Sequence, residues 1–357
     1  MEFFKKETRS ALEAIEYAQW IAHAPMVFQA TRVMRDSGIL QVIMDAGKKG
    51  ITLEEVVEKV KLPHYGVRVL LESGLGIGVV IISDDETRYS LTKTGHFILN
   101  DRMTRVNMDF VQDVCYKGLY NLEDSIKNEK PEGLKVFGEW KTVYEALSQL
   151  PDFVQKSWFG FDHYYSDDAF PLVLPLVFKN KPKKLLDIGG NTGKWSMACA
   201  KFDADVDVTI VDLPGQVNMA KNNVEKAGLS NRISFFETNL LDPKQALPKG
   251  YDAIWMSQFL DCFSEKEIVS ILSRCYDAVN DDGFVYILEP FWDRQRFEAA
   301  AFALQQTSLY FTAIANGNSQ MYHSEVFLTC VRAAGFEVVE QIDQIGVSQS
   351  LLKCKKK

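Results

Sequence analysis

The chain has 357 residues, a formal net charge of −8, a sequence pI of about 5.3 and 46% hydrophobic residues. That apolar content excludes a disordered chain, and the length suits about two domains. The acidic balance argues against a nucleic-acid-binding surface spread over the whole molecule, leaving room only for a local patch.

From the N-terminus, residues 8–38 read as helix, with Ala11, Ile15, Ala18 and Ile21 at helical spacing. A short helix follows over 37–46. Thr52 with Glu55 three residues on is a capping box and opens a helix over 53–61. After a turn at 62–65, a second helix runs over 67–73 and is expected to stop at Gly74. Segments 78–82 and 88–91 read as strands joined by an acidic hairpin, and Thr92 opens the next helix. Helix, helix, hairpin is the pattern of a winged helix, assigned to a first domain of residues 1–103. DNA affinity comes from Lys and Arg neutralising phosphates. Here the second helix offers only His64 and Arg68, and the hairpin carries Asp84, Asp85 and Glu86. The expected role is therefore dimerisation, with the apolar N-terminal helices burying against a second copy.

Residues 104–180 read as mostly helical and rich in aromatics, among them Trp140, Tyr144, Phe153, Trp158 and Phe159. Aromatics at helical spacing are more often core than ligand contacts. The run 161–168, FDHYYSDD, sets polar groups beside aromatics and suits the lip of a pocket. Phe161, Tyr165 and Asp168 are its candidates for acceptor contacts.

From residue 181 to 357 strand and helix alternate. Strands are read at 184–188, 206–211, 232–236, 251–256 and 284–289, with two final strands after Gly335 as an antiparallel pair. Alternation of this kind means a doubly wound α/β sheet that binds its ligand at the carboxyl ends of the strands. The first strand runs into Asp187, Gly189, Gly190, Asn191 and Gly193, and then a helix. Glycines let backbone approach a ligand, and a helix start presents free N–H groups. The next strand ends at Asp212, an acid placed to hold a pair of ribose hydroxyls. The spacing is not GxGxxG, since positions 191 and 194 are Asn and Lys.

Six cysteines, at 115, 199, 262, 275, 330 and 354, show no CxxC or metal-ligand spacing. The histidines do not form a metal cluster, so no metal site is expected. No apolar run reaches the length of a membrane span and no signal peptide is read at the start. The expectation is a reduced, cytoplasmic protein.

The acid-x-Gly-x-Asn-x-Gly run resembles the first motif of class I S-adenosylmethionine-dependent methyltransferases, with Asn191 in place of a glycine. Asn tolerates positive φ, so the departure is mild. Together with 211–214 (VDLP), 257–264 (SQFLDCFS), 288–290 (LEP) and 334–336 (AGF), nearly the whole chain resembles the small-molecule O-methyltransferases with an N-terminal winged-helix dimerisation domain. Caffeate, hydroxyindole and antibiotic-tailoring enzymes belong to that family. The resemblance implies a seven-stranded methyltransferase sheet, S-adenosylmethionine as cofactor, a homodimer and a small aromatic acceptor. It implies that Gly189, Gly190 and Gly193 line the cofactor's methionine end, with Asp187 and Asn191 also among the cofactor-binding residues. Asp212 would hold the ribose hydroxyls and Asn239 and Leu240 would face the adenine, with Leu213 and Ser257 as further cofactor contacts. Asn316 and Gln320 would join the acceptor contacts. The family's catalytic histidine falls at Asp261, and its supporting glutamate falls near Gln320 or Met321. Asp261 is then a candidate base or an anchor for a substrate amine, and His163 a second candidate base. The missing His–Glu pair keeps alternatives open: a cofactor-binding relative that hydroxylates or decarboxylates, or a cofactor-sensing regulator.

Overall fold

The computed structural model describes residues 3–357. Of the described residues, 3–111 form one compact unit and 112–357 form another. In the first, Ser10 and Glu13 make a reciprocal capping box that opens the 26-residue helix Ala11–Asp36. Only its C-terminal part is packed: Met34 is fully buried, while Leu12, Ile15, Trp20, Ile21 and Met26 are exposed in the single chain. Helices Ile39–Asp45, Leu53–Val60 and His64–Ile77 follow, then the hairpin of β1 (Val80–Ile82) and β2 (Tyr89–Leu91). Ile39, Leu40, Ile43, Val56, Val67 and Leu71 make a core with Val80. The winged-helix order is that expected, but the third of these helices does not stop at Gly74. Gly74 lies inside it because an added Cβ would meet the Met34 Cε at 2.8 Å. The glycine is there for close packing, and Gly78, at φ 82°, ends the helix.

In the second unit a helical stretch precedes the sheet and includes helix Asp152–Ser166. The strands are β3 (Lys184–Ile188), β4 (Asp207–Asp212), β5 (Ile233–Glu237), β6 (Tyr251–Ser257), β7 (Val279–Glu289), β8 (Phe336–Ile345) and β9 (Gln349–Lys356). Their order is β5-β4-β3-β6-β7-β9-β8. Five strands are parallel, and β9 runs antiparallel between β7 and β8. Successive residues serve opposite faces, as the pleat requires. In β7, Val285 and Ile287 enter one core and Tyr286 and Leu288 the other. The chain leaves β3 outward to β4 and β5, then returns to put β6 on the other side of β3. This reversal opens a crevice at the carboxyl ends of β3 and β6.

Candidate functional site

The glycine turn forms at that crevice. Gly189 has φ 73°, Gly193 has φ 80° and Asn191 has φ 47°. An ideal Cβ on Gly189 would lie 2.2 Å from the Phe259 ring, so both space and conformation require glycine there. The turn delivers the chain into helix Lys194–Phe202. The Asn191 backbone N–H donates to Asp212 Oδ2 at 2.8 Å, and the Leu213 N–H donates to Oδ1 at 2.7 Å. Turn and acid are thus one constellation. Burial raises the Asp212 carboxyl to about 6, against the lowering effect of those two N–H bonds.

Asp187 plays a different part. It is 2% exposed and accepts the Ser196 hydroxyl at 2.5 Å, which ties strand to helix below the turn. Burial holds it near 7. Leu240 packs into the core, and Asn239 is exposed, accepting the Leu241 N–H at 3.0 Å in a local turn. Around the strand ends, Asn191 Oδ1, Thr238 Oγ1, Ser257 Oγ and Gln258 Nε2 are buried without a partner in the chain. Thr238 and Gln258 were not legible in the sequence. Gln258 is held at φ 46° straight after β6, a conformation no local signal announces in a non-glycine residue.

A second group of side chains gathers around the turn Leu260–Cys262 that follows β6. Asp261 is 5% exposed, and burial raises its carboxyl to about 7. The Cys262 thiol donates to its Oδ1 at 3.4 Å. Glu289, at the end of β7, accepts the N–H groups of Phe259 at 3.0 Å and Leu260 at 2.8 Å, which fixes the approach to Asp261. Burial and the Asp261 charge hold Glu289 well above the usual carboxylate range. Asn316 Nδ2 donates to the Cys262 carbonyl at 2.6 Å. From helix Asp152–Ser166, Trp158 Nε1 donates to the Tyr310 hydroxyl at 2.7 Å. Asp162, four residues on, accepts Asn191 Nδ2 at 3.3 Å.

His163 lies on the same helix, 3.6 Å from Asp167 and 3.8 Å from Asp162. Burial and Lys194 lower its pKa, opposed by Asp167, which favours the neutral imidazole. Phe161 and Tyr165 pack on each other with ring centroids 5.0 Å apart. Asp168 and Gln320 are exposed and stand outside this group. Glu289 is a supporting residue that the sequence shows only as part of a strand-end motif, because its hold on the turn spans 30 residues of chain.

The arrangement has a backbone-lined turn with an acid suited to hydroxyls and, at the end of the neighbouring strand, a buried carboxyl raised toward neutrality. Among the described residues no three His, Cys, Asp or Glu side chains gather as metal ligands, and no helix is long and apolar enough to cross a membrane.

Comparison with known proteins matches a Dimerisation2-like domain over residues 16–89 and an O-methyltransferase domain over residues 119–337. The chain is 23% identical to the L-tyrosine C(3)-methyltransferase of Streptomyces lavendulae, over 93% of this chain and 90% of that protein. It is similar in fold to the S-adenosylmethionine-dependent methyltransferase SibL in its apo form, with a TM-score of 0.72, 20% identity, and coverage of 96% and 99%. It is also similar to NcsB1, an O-methyltransferase from neocarzinostatin biosynthesis solved with S-adenosylmethionine and 2-hydroxy-5-methyl naphthoic acid. That match has a TM-score of 0.66, 19% identity, and coverage of 92% and 96%.

Proposed function

The chain belongs to the O-methyltransferase family, and from that premise we propose that it moves the methyl group of S-adenosylmethionine to a hydroxyl of a small aromatic acceptor. The observation that carries this reading is the Gly189–Gly193 turn bonded through the Asn191 N–H to Asp212, at the point where the sheet reverses its winding. The residues fit the cofactor. Asp212 accepts hydroxyl protons, and the unpartnered Thr238 Oγ1, Ser257 Oγ, Gln258 Nε2 and Asn191 Oδ1 offer the polar contacts such a ligand uses.

Gly189, Gly190 and Gly193 would keep the backbone close to the cofactor, with Asp212 at the ribose and Leu213 and Ser257 among its further contacts. Asn239 and Leu240 would flank the adenine by their place after β5. When bound, the cofactor supplies a methyl group activated by its sulfonium. The protein's part is to hold the acceptor in line with that methyl and to take the acceptor's proton. Asp261 takes that proton. With a carboxyl near 7 it is partly ionised at neutral pH and basic enough for the task. Glu289 and Asn316 hold its turn, and Phe161, Tyr165 and Trp158 supply apolar surface for an aromatic ring. His163 is the rival base, and its neutral imidazole suits the same role.

A second reading is favoured by one finding: the Streptomyces lavendulae relative, matched over 90% of its own length, methylates carbon 3 of tyrosine by name. Methylation of a ring carbon beside a phenolate needs the same deprotonation by Asp261, and product analysis separates the two. The Dimerisation2-like match and the exposed apolar face of helix Ala11–Asp36 support a homodimer. The acidic hairpin at Asp84, Asp85 and Glu86 speaks against nucleic acid as a partner. Six free cysteines suit a reducing compartment such as the cytoplasm. The test is calorimetry with S-adenosylmethionine, followed by a screen of phenols for formation of S-adenosylhomocysteine. Absence of cofactor binding would overturn the reading.

A further inference from the structure

We propose that Asn316 and Tyr322 are positioning residues for the base: from one segment they clamp the two backbone carbonyls that follow Asp261 and so set where its carboxyl stands. The inference rests on the methyl-transfer reading and deepens it by naming what holds the proton acceptor in place. Asn316 Nδ2 donates to the Cys262 carbonyl at 2.6 Å. The Tyr322 hydroxyl donates to the Phe263 carbonyl, also at 2.6 Å. On the other side of the turn, Glu289 accepts the N–H groups of Phe259 and Leu260. Asp261 thus sits between two held pairs of backbone groups.

The segment is itself anchored. Helix Glu298–Tyr310 runs into a π-helical turn, Phe311–Ala315. Such wide turns interrupt the helical ladder and re-aim the residues beyond them. Here the residue re-aimed is Asn316, whose N–H reaches back to the Phe311 carbonyl at 3.1 Å. Gly317 follows at φ 89°, and an added Cβ would lie 2.4 Å from Lys130 Cα, so the chain is pressed against its neighbour as it leaves the turn. Asn316 Oδ1 accepts the Ser319 hydroxyl at 2.8 Å and the Asn318 N–H at 3.2 Å. Those two donors fix which end of the amide faces Cys262. The proposal therefore reassigns Asn316 from acceptor contact to strut. Further on, the Met321 N–H donates to Ser308 Oγ at 3.2 Å, and Tyr322 is buried.

Buried carbonyls need partners, and one that loses its donor is left unsatisfied at a cost. The turn then shifts to find another partner or admits water. Neither bond touches the Asp261 side chain, so both act on it through the main chain. Several titratable groups bear on Asp261: the Cys262 thiol of its own turn at 3.4 Å, and Glu289 at the end of β7. Its charge is also felt by Asp162 on helix Asp152–Ser166, by Tyr144 on helix Val143–Ala146 and by Tyr322. Burial raises the Tyr322 phenol above its ordinary range, so it is neutral. Replacing Asn316 or Tyr322 by an apolar residue therefore removes no charge, and any change in Asp261 comes from its position and hydration.

The test reads the Asp261 carboxyl directly. Protein carrying aspartate with an isotopically labelled side-chain carboxyl is titrated by NMR. The resonances of Asp261 and Asp187 are identified by their loss in the corresponding Asn variants. In the wild type both should titrate at about 7. Tyr322→Phe and Asn316→Ala should each lower the Asp261 midpoint by roughly one pH unit, because burial is what raises it and a loosened turn lets water reach the carboxylate. Ser319→Ala, which only releases the Asn316 amide, should give a smaller shift in the same direction. Asp187, below the glycine turn, should titrate as before in all three. With a phenol that the protein methylates, kcat should fall about tenfold and KM stay within about twofold. An Asp261 midpoint unmoved in Tyr322→Phe, the mildest of the three, or a shift of equal size in Asp187, would overturn the proposal. The titration needs no turnover, so the two readings fail separately. Cofactor binding with an unmoved midpoint sinks only this inference, while a moved midpoint without cofactor binding leaves the clamp and sinks the methyl-transfer reading.

Discussion

Replacing Asp261 with Asn should stabilise the protein while inactivating it, and the size of both effects follows from burial. An unfolded Asp loses its proton near 3.8, whereas in the folded chain Asp261 holds it to about 7. Between those values the folded state carries a proton that the unfolded state lacks. Stability therefore falls as pH rises through this window, the reverse of the behaviour of a salt-bridged carboxylate. At about 1.4 kcal/mol per pKa unit, the gap from 3.8 to about 7 sets an upper bound of about 4 kcal/mol on the cost of ionising this side chain above pH 7. Asp261→Asn removes that cost and keeps the size of the side chain. Urea denaturation of the cofactor-free protein should show the variant more stable than wild type by about 1–4 kcal/mol at pH 8 and nearly equal to it at pH 4. Turnover should fall roughly 10²- to 10⁴-fold with cofactor affinity nearly intact. The wild-type kcat/KM should show an acid limb near pH 7 that the variant lacks, while His163→Gln keeps it. A variant that gains no stability at pH 8, or that remains fully active, would refute the assignment of Asp261 as a buried base.

Three further outcomes are expected. Asp212→Ala should weaken S-adenosylmethionine binding by about 1–3 kcal/mol in calorimetry, since a charge-assisted hydrogen bond is lost. Gly189→Ala should cost about 1–3 kcal/mol of stability, measured by denaturation, because its Cβ would lie 2.2 Å from the Phe259 ring at a φ of 73°; a full-strength cofactor site in that variant would argue against close backbone approach. Trp20→Asp combined with Ile21→Asp should convert a dimer to a monomer in analytical ultracentrifugation, since both side chains lie exposed on helix Ala11–Asp36.

The alternating pattern after residue 183 was legible because each parallel strand is an apolar run between turn signals; of the antiparallel closing pair only 335–340 and 347–352 carry that signal, and the strands continue through polar residues to Ile345 and Lys356. The capping box at Thr52 is local, and the helix it starts lies where such a signal places it. Gly74 misled because a glycine at a helix end and a glycine pressed against Met34 look alike in one dimension. The glycine turn and Asp212 could be read as separate strand-end features, but not the bond between them, which spans 21 residues. Asp162 was passed over for its neighbour His163, since only the folded chain brings it to Asn191. Glu289 was hidden in the same way: its acid chemistry is plain, but its task of gripping the backbone before Asp261 depends on the neighbouring pairing of β6 and β7.

The central claim, that this chain carries a methyl group from S-adenosylmethionine to an aromatic hydroxyl, is tested most directly by following an isotopically labelled methyl. The protein is incubated with methyl-labelled S-adenosylmethionine and a panel of amino-bearing and neutral phenols, and the products are read by mass spectrometry. One labelled methyl should appear on an acceptor for each S-adenosylhomocysteine formed, with loss of both in Asp261→Asn. Cofactor bound at the glycine turn with no label reaching any acceptor, or label transfer undiminished in Asp261→Asn, would contradict the claim.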